Sequence, residues 1–305
     1  MKPAVLLGTR GSRLALVQAE SVAERLRRAG IPVEISTIRT TDERLPETPL
    51  AVIDRRDVFT RQLDEALLAG GIDLAVHSLK DVPTGLPEGI EIVAVTERGD
   101  PSDVLVSPDG RGLDGLPEGA VIATSSLRRR AQLLHYRPDL RTVEIRGNVD
   151  TRVRKVREGY ADALILARAG LERLGLRVRY RPIPFGIVLP AAGQGSLGVA
   201  VRWDSPLREP LREALNHEPS ERAARAERAF LRALEGGCRV PVGVLARTEG
   251  AGVVLQGVAA SPDGGALYRG ELRGERPEET GVRLAQELLE RGAGEILEEI
   301  RGVRR

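Results

Sequence analysis

Two short stretches of the sequence bring hydroxyl groups and arginines together where an anion could bind. They contain Thr9, Arg10 and Ser12 in GTRGSR, and Thr124, Ser125, Ser126, Arg128 and Arg129 in ATSSLRRR. Each stretch follows an apolar run and opens a helical pattern, so the free N–H groups of a helix start accompany the hydroxyls. Guanidinium groups bind carboxylate or phosphate through paired hydrogen bonds. With Arg146, Arg152 and Arg173, these residues predict a site for a polyanionic ligand.

A second interpretation of the same residues needs no ligand. Serine or threonine at a helix start commonly caps the helix, and surface arginines are commonly just solvated. Either stretch alone fits that interpretation. Two matching stretches in one chain favour the anion site.

The only cysteine of the chain, Cys238, lies in the stretch EGGCRVPVG. A single cysteine is commonly a small buried hydrophobic residue. Here two glycines end the preceding helical pattern, so we expect Cys238 in a loop, where core filling is less favoured. A helix C-terminus does not favour a thiolate, and any activation must come from nearby basic groups.

The stretch HSLKDVP, residues 77–83, contains four polar side chains, His77, Ser78, Lys80 and Asp81, at the end of an apolar strand pattern. Lys80 is one of three lysines among 46 lysines and arginines, although arginine would supply the same charge. Asp81 precedes Pro83 and could simply cap a turn. The three histidines are scattered and offer no metal site, so we interpret His77 as structural.

Composition and charge exclude several classes of protein. Hydrophobic residues make up 41% and charged residues 30% of the 305 residues, which is typical of a globular protein. A net charge of +2 and 3% aromatic residues argue against a nucleic-acid partner. A single cysteine favours the reducing cytoplasm, and no apolar run is long enough for a signal peptide or a membrane span. Nothing indicates a large apolar interface, so we expect a monomer.

The elements that must position these residues alternate between strand and helix over residues 4–190. AVLLGT (4–9), VEISTIRT (33–40) and IDLAVHS (72–78) are predicted strands, with helices between them. The same order recurs over residues 120–170, where GYADALILARAG repeats the pattern of GGIDLAVHSLKD. We predict two similar α/β lobes, with a ligand site at the carboxyl ends of their strands and in a cleft between the lobes.

The remaining sequence predicts a return to the first lobe and then a third domain. LPAAGQGSLGVAVR (189–202) lacks the spacing of a nucleotide-binding loop and leads into another strand. From about residue 218 the pattern is helix, three strands and one closing helix over EETGVRLAQELLERGAGEILEEI. The predicted domains are lobe 1 (1–97 and 196–215), lobe 2 (98–195) and a small α+β domain with a three-stranded sheet (216–305).

The motifs now in hand resemble those of the hydroxymethylbilane synthase family, also called porphobilinogen deaminases. GTRGSRLALVQA, DLAVHSLKDVP, ATSSLRRRAQL, EIRGNVDTR, ILARAGLERLG, AAGQGSLG and EGGCRVPVG occur in the family's order and spacing. The resemblance covers almost the whole chain. It implies two lobes of the periplasmic-binding-protein type and a third domain whose cysteine carries a dipyrromethane cofactor through a thioether bond.

The same resemblance implies a transferase of tetrapyrrole (heme) biosynthesis. Four porphobilinogen molecules would be added head to tail to the cofactor, each losing ammonia, and hydrolysis would release linear hydroxymethylbilane. The cofactor-binding residues would be Cys238, Lys80, Thr124, Ser126, Arg128, Arg129 and Arg146. The substrate-binding residues would be Arg10, Ser12, Gln18, Arg146, Arg152, Arg173 and Gln194. Arginine suits these positions because every pyrrole carries two carboxylates.

Asp81 is the carboxylate that we predict to be catalytic. Loss of ammonia turns porphobilinogen into a cationic azafulvene, and positive charge then lies on ring nitrogens. A buried carboxylate directed at those N–H groups would stabilise the charge and help to move protons.

One segment departs from the family pattern. DRRDVF (54–59) stands where the family has a loop rich in glycine and lysine, so the behaviour of residues 54–58 and any role of Arg55 or Arg56 in substrate entry are open. Two other functions also stay open at this point. A non-catalytic anion-binding protein would need neither Cys238 nor the third domain, and a nucleic-acid binder fits the composition poorly.

Overall fold

The structure, a computed structural model, describes residues 4–38, 60–234 and 241–302. In chain order its first elements are β1 (Val5–Arg10), α1 (Arg13–Arg28), β2 (Val33–Ile38), α2 (Arg61–Leu68), β3 (Leu74–Ser78), β4 (Ile90–Val95), β5 (Asp103–Val106), β6 (Val121–Ala123), α3 (Leu127–Tyr136), β7 (Arg141–Val143), α4 (Val149–Arg157), β8 (Ala163–Ala167) and α5 (Arg168–Arg173). The others are β9 (Tyr180–Pro182), β10 (Leu197–Arg202), α6 (Arg208–Leu215), α7 (Glu218–Ala233), β11 (Val242–Glu249), β12 (Gly252–Ala260), β13 (Leu267–Gly274), α8 (Pro277–Leu288) and α9 (Gly294–Gly302).

Contacts divide the chain into two compact units. The first comprises residues 1–99 and 195–221, and the second comprises residues 100–194 and 222–305. The second unit therefore holds both lobe 2 and the predicted third domain. The division into three domains with the boundaries given above stays a prediction.

The first unit is built on a five-stranded sheet in the order β2-β1-β3-β10-β4. β1 pairs parallel with β2 and β3, and β10 lies antiparallel between β3 and β4. β3 is buried on both faces, because Leu74 and Val76 pack with residues of α1 while Ala75 packs with Leu63 and Leu67 of α2. The packing therefore fixes β3 in the sheet, and HSLKDVP starts at its penultimate residue, His77.

The second unit repeats this sheet. Its strand order is β7-β6-β8-β5-β9, with β6 parallel to β7 and β8, and with β5 antiparallel in the fourth position. β5 and β10 thus occupy equivalent places, and each enters its sheet after the chain has left the other lobe. The predicted internal repeat and the predicted return of the chain through β10 are confirmed.

The rest of the second unit is a three-stranded antiparallel sheet, β11-β12-β13, covered by helices. Phe230 of α7 is fully buried against it. A Cβ atom at Gly257 of β12 would lie 2.5 Å from the Phe230 ring, so only glycine lets this helix approach the sheet. The predicted fold class, two α/β lobes and a small α+β domain with a three-stranded sheet, is confirmed.

The prediction of a single closing helix is wrong. Gly292 has φ +116°, a backbone conformation that ends a helix, so the segment forms α8 and α9 on either side of a short turn. Within the described ranges, no helix combines the length and the apolar character that crossing a membrane requires.

Candidate active site

In the first unit, β1 and α1 meet at the first predicted anion-binding stretch. The buried hydroxyl of Thr9 donates a hydrogen bond to the carbonyl oxygen of Ala15 at 3.2 Å. The hydroxyl of Ser12 accepts one from the Ala15 N–H at 3.3 Å and is the N-cap of α1. The capping interpretation therefore holds for Ser12, while Arg10, the last residue of β1, is half-buried beside it.

Asp81 lies on a single 3-10 turn, Leu79–Asp81, that directly follows β3. Its carboxylate is exposed, so the prediction of a buried carboxylate is wrong: the residue stands beyond the strand end, where solvent reaches it. Among the described residues, the Asp81 side chain forms neither a hydrogen bond nor an ion pair. It therefore does not cap the turn, and its oxygens are available to a ligand.

The turn that carries Asp81 is tied to α1 by Gln18. The buried Gln18 amide donates to the Ser78 hydroxyl at 2.9 Å, and that hydroxyl donates back to the amide oxygen at 3.1 Å. Lys80, next to Asp81, is half-buried. Gln18 thus fixes the end of β3 from which Lys80 and Asp81 extend.

His77, the penultimate residue of β3, is buried beside this turn. Burial, followed by the positive charge of Arg10, lowers the pKa of His77 from 6.5 to about 4. The imidazole is therefore neutral at pH 7, and it adds no positive charge to a substrate-binding surface. This agrees with a structural role for His77.

The low pKa of His77 predicts that the first unit loses stability on mild acidification. The unfolded chain protonates His77 near pH 6.5 and the folded chain only near pH 4. The stabilisation is therefore complete above pH 6.5 and is lost as pH falls towards 4, amounting to roughly 2 kcal/mol between about pH 7 and about pH 5. Denaturant unfolding at about pH 7 and about pH 5, followed by far-ultraviolet circular dichroism, measures the difference.

The His77→Gln variant should lack this contribution, because glutamine does not titrate. His135→Gln, which changes an exposed histidine of the second unit, is the matched control and should keep the full pH dependence. An unchanged pH dependence in His77→Gln would refute the assignment.

In the second unit, β6 and α3 meet at the second predicted anion-binding stretch. The Ser126 hydroxyl is the N-cap of α3, and the buried Thr124 hydroxyl accepts a hydrogen bond from the Ser126 N–H at 3.3 Å. The Ser125 hydroxyl donates to the Ile145 carbonyl oxygen at 2.6 Å and accepts from its N–H at 3.1 Å. This pair holds the segment leading to Arg146 against the end of β6.

Arg128 and Arg129, in the first turn of α3, both point into the protein and share the carboxylate of Asp103. Nη1 of Arg128 lies 2.6 Å from Oδ2, and Nη2 and Nε of Arg129 lie 2.7 and 3.1 Å from Oδ1. Asp103 is fully buried at the start of β5. Burial alone would raise its pKa, but the charges and hydrogen bonds of the two arginines hold the pKa of Asp103 far below its usual value. The carboxylate is therefore ionised, and the cluster of two cations and one anion carries a net positive charge.

The other three predicted arginines of the second unit are Arg146, Arg152 and Arg173. Arg146 is half-buried, and Nε of Arg152 donates to the Gly147 carbonyl oxygen at 2.7 Å. Burial lowers the pKa of Arg173, so this guanidinium has lost much of its water. A partly desolvated cation gains more from a ligand carboxylate than a solvated one does.

Gln194 belongs to the same buried network as Asp103. Its amide nitrogen donates to the Asp103 carboxylate at 3.0 Å and to the Pro101 carbonyl oxygen at 2.7 Å. The N–H of the preceding residue, Gly193, donates at 2.7 Å to the fully buried carboxylate of Glu227 on α7. Hydrogen bonds thus connect α7, the helix that leads to the cysteine segment, to Asp103.

Comparison with known proteins identifies the family to which this chain is similar. Residues 5–208 match the family model of the porphobilinogen deaminase dipyrromethane cofactor binding domain, and residues 222–290 match that of the porphobilinogen deaminase C-terminal domain. The porphobilinogen deaminase of Rubrobacter xylanophilus is 66% identical over 300 residues, with 98% of each chain covered. That of Desulforudis audaxviator is 52% identical over 307 residues, with 99% of each chain covered.

The chain belongs to the porphobilinogen deaminase family. It is therefore a transferase of tetrapyrrole biosynthesis with a dipyrromethane cofactor, and the resemblance seen in its motifs is confirmed. A non-catalytic anion-binding protein is excluded, since the match includes the C-terminal domain as well as both lobes.

Solved structures similar to this porphobilinogen deaminase family member include binding proteins. A periplasmic substrate-binding protein of an ABC transporter from Coxiella burnetii has a TM-score of 0.43 and 21% identity, covering 73% of this chain and 96% of its own. The methionine-binding protein MetQ has a TM-score of 0.45 and 14% identity, covering 69% and 89%. At such TM-scores the fold assignment depends on the strand order described above.

The residues of the second unit fit the cofactor of the porphobilinogen deaminases. A dipyrromethane with acetate and propionate side chains is a polyanion, and the Arg128–Arg129–Asp103 cluster has an excess positive charge. Among the described residues, Nε and Nη2 of Arg128 have no hydrogen-bond partner. A ligand carboxylate could occupy these donors.

Two predicted parts of the porphobilinogen deaminase site, Cys238 and the loop 54–58, lie outside the described residues. Conversely, the sequence analysis missed Asp103 and Glu227. Asp103 stands in DPSDVLVSP, which reads only as the start of a strand, and Glu227 stands in a charged helix. A carboxylate at a position of α7 that shares a face with Ala223 and Phe230 was the only available signal for Glu227.

Proposed function

We propose that this chain joins four porphobilinogen molecules head to tail on a dipyrromethane held by Cys238 through a thioether, and that hydrolysis releases linear hydroxymethylbilane. When bound, the dipyrromethane supplies the free pyrrole α-carbon at which the first substrate unit is joined. The observation that carries the proposal is the buried cluster of Arg128, Arg129 and Asp103. Its net positive charge favours an anionic ligand, and the cofactor is a tetracarboxylate.

The proposed cofactor-binding residues are those whose charges or hydroxyls lie at the strand ends. In addition to Cys238 they are Lys80, Thr124, Ser126, Arg128, Arg129 and Arg146. The Nε and Nη2 donors of Arg128 support a direct bond to one carboxylate. The hydroxyl oxygens of Thr124 and Ser126 accept backbone N–H bonds as described. Their O–H groups and the free N–H groups at the start of α3 therefore favour an anion there.

The proposed substrate-binding residues supply further cations and amides. They are Arg10, Ser12, Gln18, Arg146, Arg152, Arg173 and Gln194. Each substrate molecule brings one acetate and one propionate, and a guanidinium binds a carboxylate through two parallel hydrogen bonds. The partial desolvation of Arg173 strengthens such a bond relative to a solvent-exposed arginine.

Asp81 is the proposed catalytic residue. As the C–N bond of the substrate's aminomethyl group breaks and ammonia leaves, positive charge develops on the substrate's pyrrole nitrogen. The Asp81 carboxylate stabilises that charge by accepting a hydrogen bond from the pyrrole N–H. It also accepts the proton that the pyrrole α-carbon loses once the new carbon–carbon bond has formed. Two observations support this role: the carboxylate is available to a ligand, and Gln18 fixes the turn that carries it.

The proposed setting is a monomer in the cytoplasm, with porphobilinogen as the small-molecule partner and no nucleic-acid or membrane partner. A net charge of +2 and 3% aromatic residues support the absence of a nucleic-acid partner. A single cysteine fits a reducing compartment.

The proposal is tested by incubating the purified protein with porphobilinogen and measuring substrate, ammonia and product mass. One ammonia should appear for each porphobilinogen consumed, and the released product should contain four pyrrole rings. Binding of porphobilinogen without ammonia release would contradict the proposal.

A further inference from the structure

Asp103 is the residue on which three of the proposed ligand-binding side chains converge. Its two oxygens accept hydrogen bonds from Arg128, Arg129 and Gln194, at distances of 2.6 to 3.1 Å. These partners stand 25, 26 and 91 residues away in the sequence. One buried carboxylate therefore sets the positions of groups from α3 and from the segment before β10.

The two arginines are held in different ways. All three guanidinium nitrogens of Arg129 donate to the protein, since Nε and Nη2 bond to Asp103 and Nη1 bonds to the Ile165 carbonyl oxygen at 3.0 Å. To the residues that the structure describes, Arg128 donates through Nη1 alone, which bonds to Asp103 and to the Leu189 carbonyl oxygen, each at 2.6 Å. This anchoring of one nitrogen fixes the plane of the Arg128 guanidinium and leaves its Nε–Nη2 edge for a second carboxylate.

The charge of Asp103 matters as well as its position. Two guanidinium groups and one carboxylate carry a net charge of +1, so one ligand carboxylate neutralises the cluster. Without the Asp103 charge, two buried cations would face each other, and each would be free to turn towards other acceptors.

We infer that Asp103 is a positioning residue for the cofactor: it orients Arg128 so that the Nε–Nη2 edge receives one dipyrromethane carboxylate. The inference rests on the proposed function. Asp103 itself does not touch the ligand, because its oxygens are occupied by the two arginines and Gln194. Asp103 is absent from the residues that the motifs identified.

The test compares cofactor loading of the Asp103→Asn variant with that of the unchanged protein. Asparagine keeps the shape and removes the charge, so we expect the loaded fraction in intact-protein mass spectra to fall at least about tenfold. Asp139→Asn is the matched control, because Asp139 also forms an ion pair with an arginine of the second unit, Arg137, but at the surface. Asp139→Asn should load fully.

A purely structural role is distinguished by titration with porphobilinogen. Unloaded Asp103→Asn protein, shown to be folded by circular dichroism, should assemble the cofactor only at porphobilinogen concentrations at least about tenfold above those that the unloaded protein with Asp103 requires. A residue that merely stabilises the fold would leave this concentration unchanged, and that result would overturn the inference.

A second variant covers the case in which Asp103→Asn does not fold. Asp103→Glu keeps the charge but moves it by one methylene group, so its required porphobilinogen concentration should also rise. Loading of Asp103→Glu at the concentration that serves the unchanged protein would refute the positioning role. If the unchanged protein itself carries no cofactor, the proposed function fails. If the Asp103 variants load as well as the unchanged protein, only the positioning role of Asp103 fails.

Discussion

Replacing Asp81 with asparagine is expected to lower the rate of porphobilinogen consumption by roughly 10²- to 10⁴-fold. The amide keeps the shape of the side chain but neither carries the charge nor accepts a proton at neutral pH. The fold should survive, because Asp81 is exposed and its side chain makes no hydrogen bond to the described residues. The variant should also keep its cofactor, and steady-state consumption of porphobilinogen measures the loss.

A matched control separates this effect from a general change of surface charge. Glu88 is also an exposed carboxylate and lies in the same connection, between β3 and β4. Glu88→Gln should leave the rate unchanged. If Asp81→Asn stays within about threefold of the unchanged protein, a difference of less than 1 kcal/mol in barrier height, the catalytic assignment of Asp81 is wrong.

Replacing Cys238 with serine is expected to abolish the reaction, with a loss of at least about 10³-fold in rate. Serine has nearly the same size, but its hydroxyl is a far weaker nucleophile than a thiolate, so the thioether cannot form. The variant should be left without a primer. It should also unfold at a temperature lower by roughly 5–15 °C, because the tethered cofactor forms its contacts with the arginines only in the native state.

The Asp81→Asn variant serves as the control for Cys238→Ser. Both variants lose activity, but only Cys238→Ser should lose the thermal stabilisation that the bound cofactor provides. Full activity in Cys238→Ser would mean that the primer is attached elsewhere or is not needed, and the proposed attachment would have to be abandoned.

Local patterns in the sequence were sufficient to predict the repeated part of the fold. Apolar runs such as IDLAVHS end at polar residues that cannot continue a buried strand, and glycines such as Gly30, with φ +78°, end the helices. The repeat of this order predicted the second sheet. The place of β5 and β10 as antiparallel strands in the fourth position depends on pairing between distant segments, which periodicity does not encode.

The sequence of the closing segment contains a signal for a break between two helices. RGAGE contains a glycine at the position where a left-handed residue ends a helix, and Gly292 adopts φ +116° there. Apolar residues at helical spacing on both sides made one long helix the simpler prediction.

The site could be predicted only in part from the sequence. The motifs identified the arginines and Asp81, but they could not show that Arg128 and Arg129 turn inward to one carboxylate. Asp103 is a single acid before an apolar strand, and only the packing of α3 against β5 makes it the shared partner of both arginines. The exposure of Asp81 likewise depends on where the turn after β3 ends.

Intact-protein mass spectrometry of the purified protein and of Cys238→Ser tests the central claim most directly. The unchanged protein should be heavier than its sequence by two pyrrole units, and the variant should have the mass of its polypeptide alone. A polypeptide mass without any addition in the unchanged protein, persisting after incubation with porphobilinogen, would contradict the account.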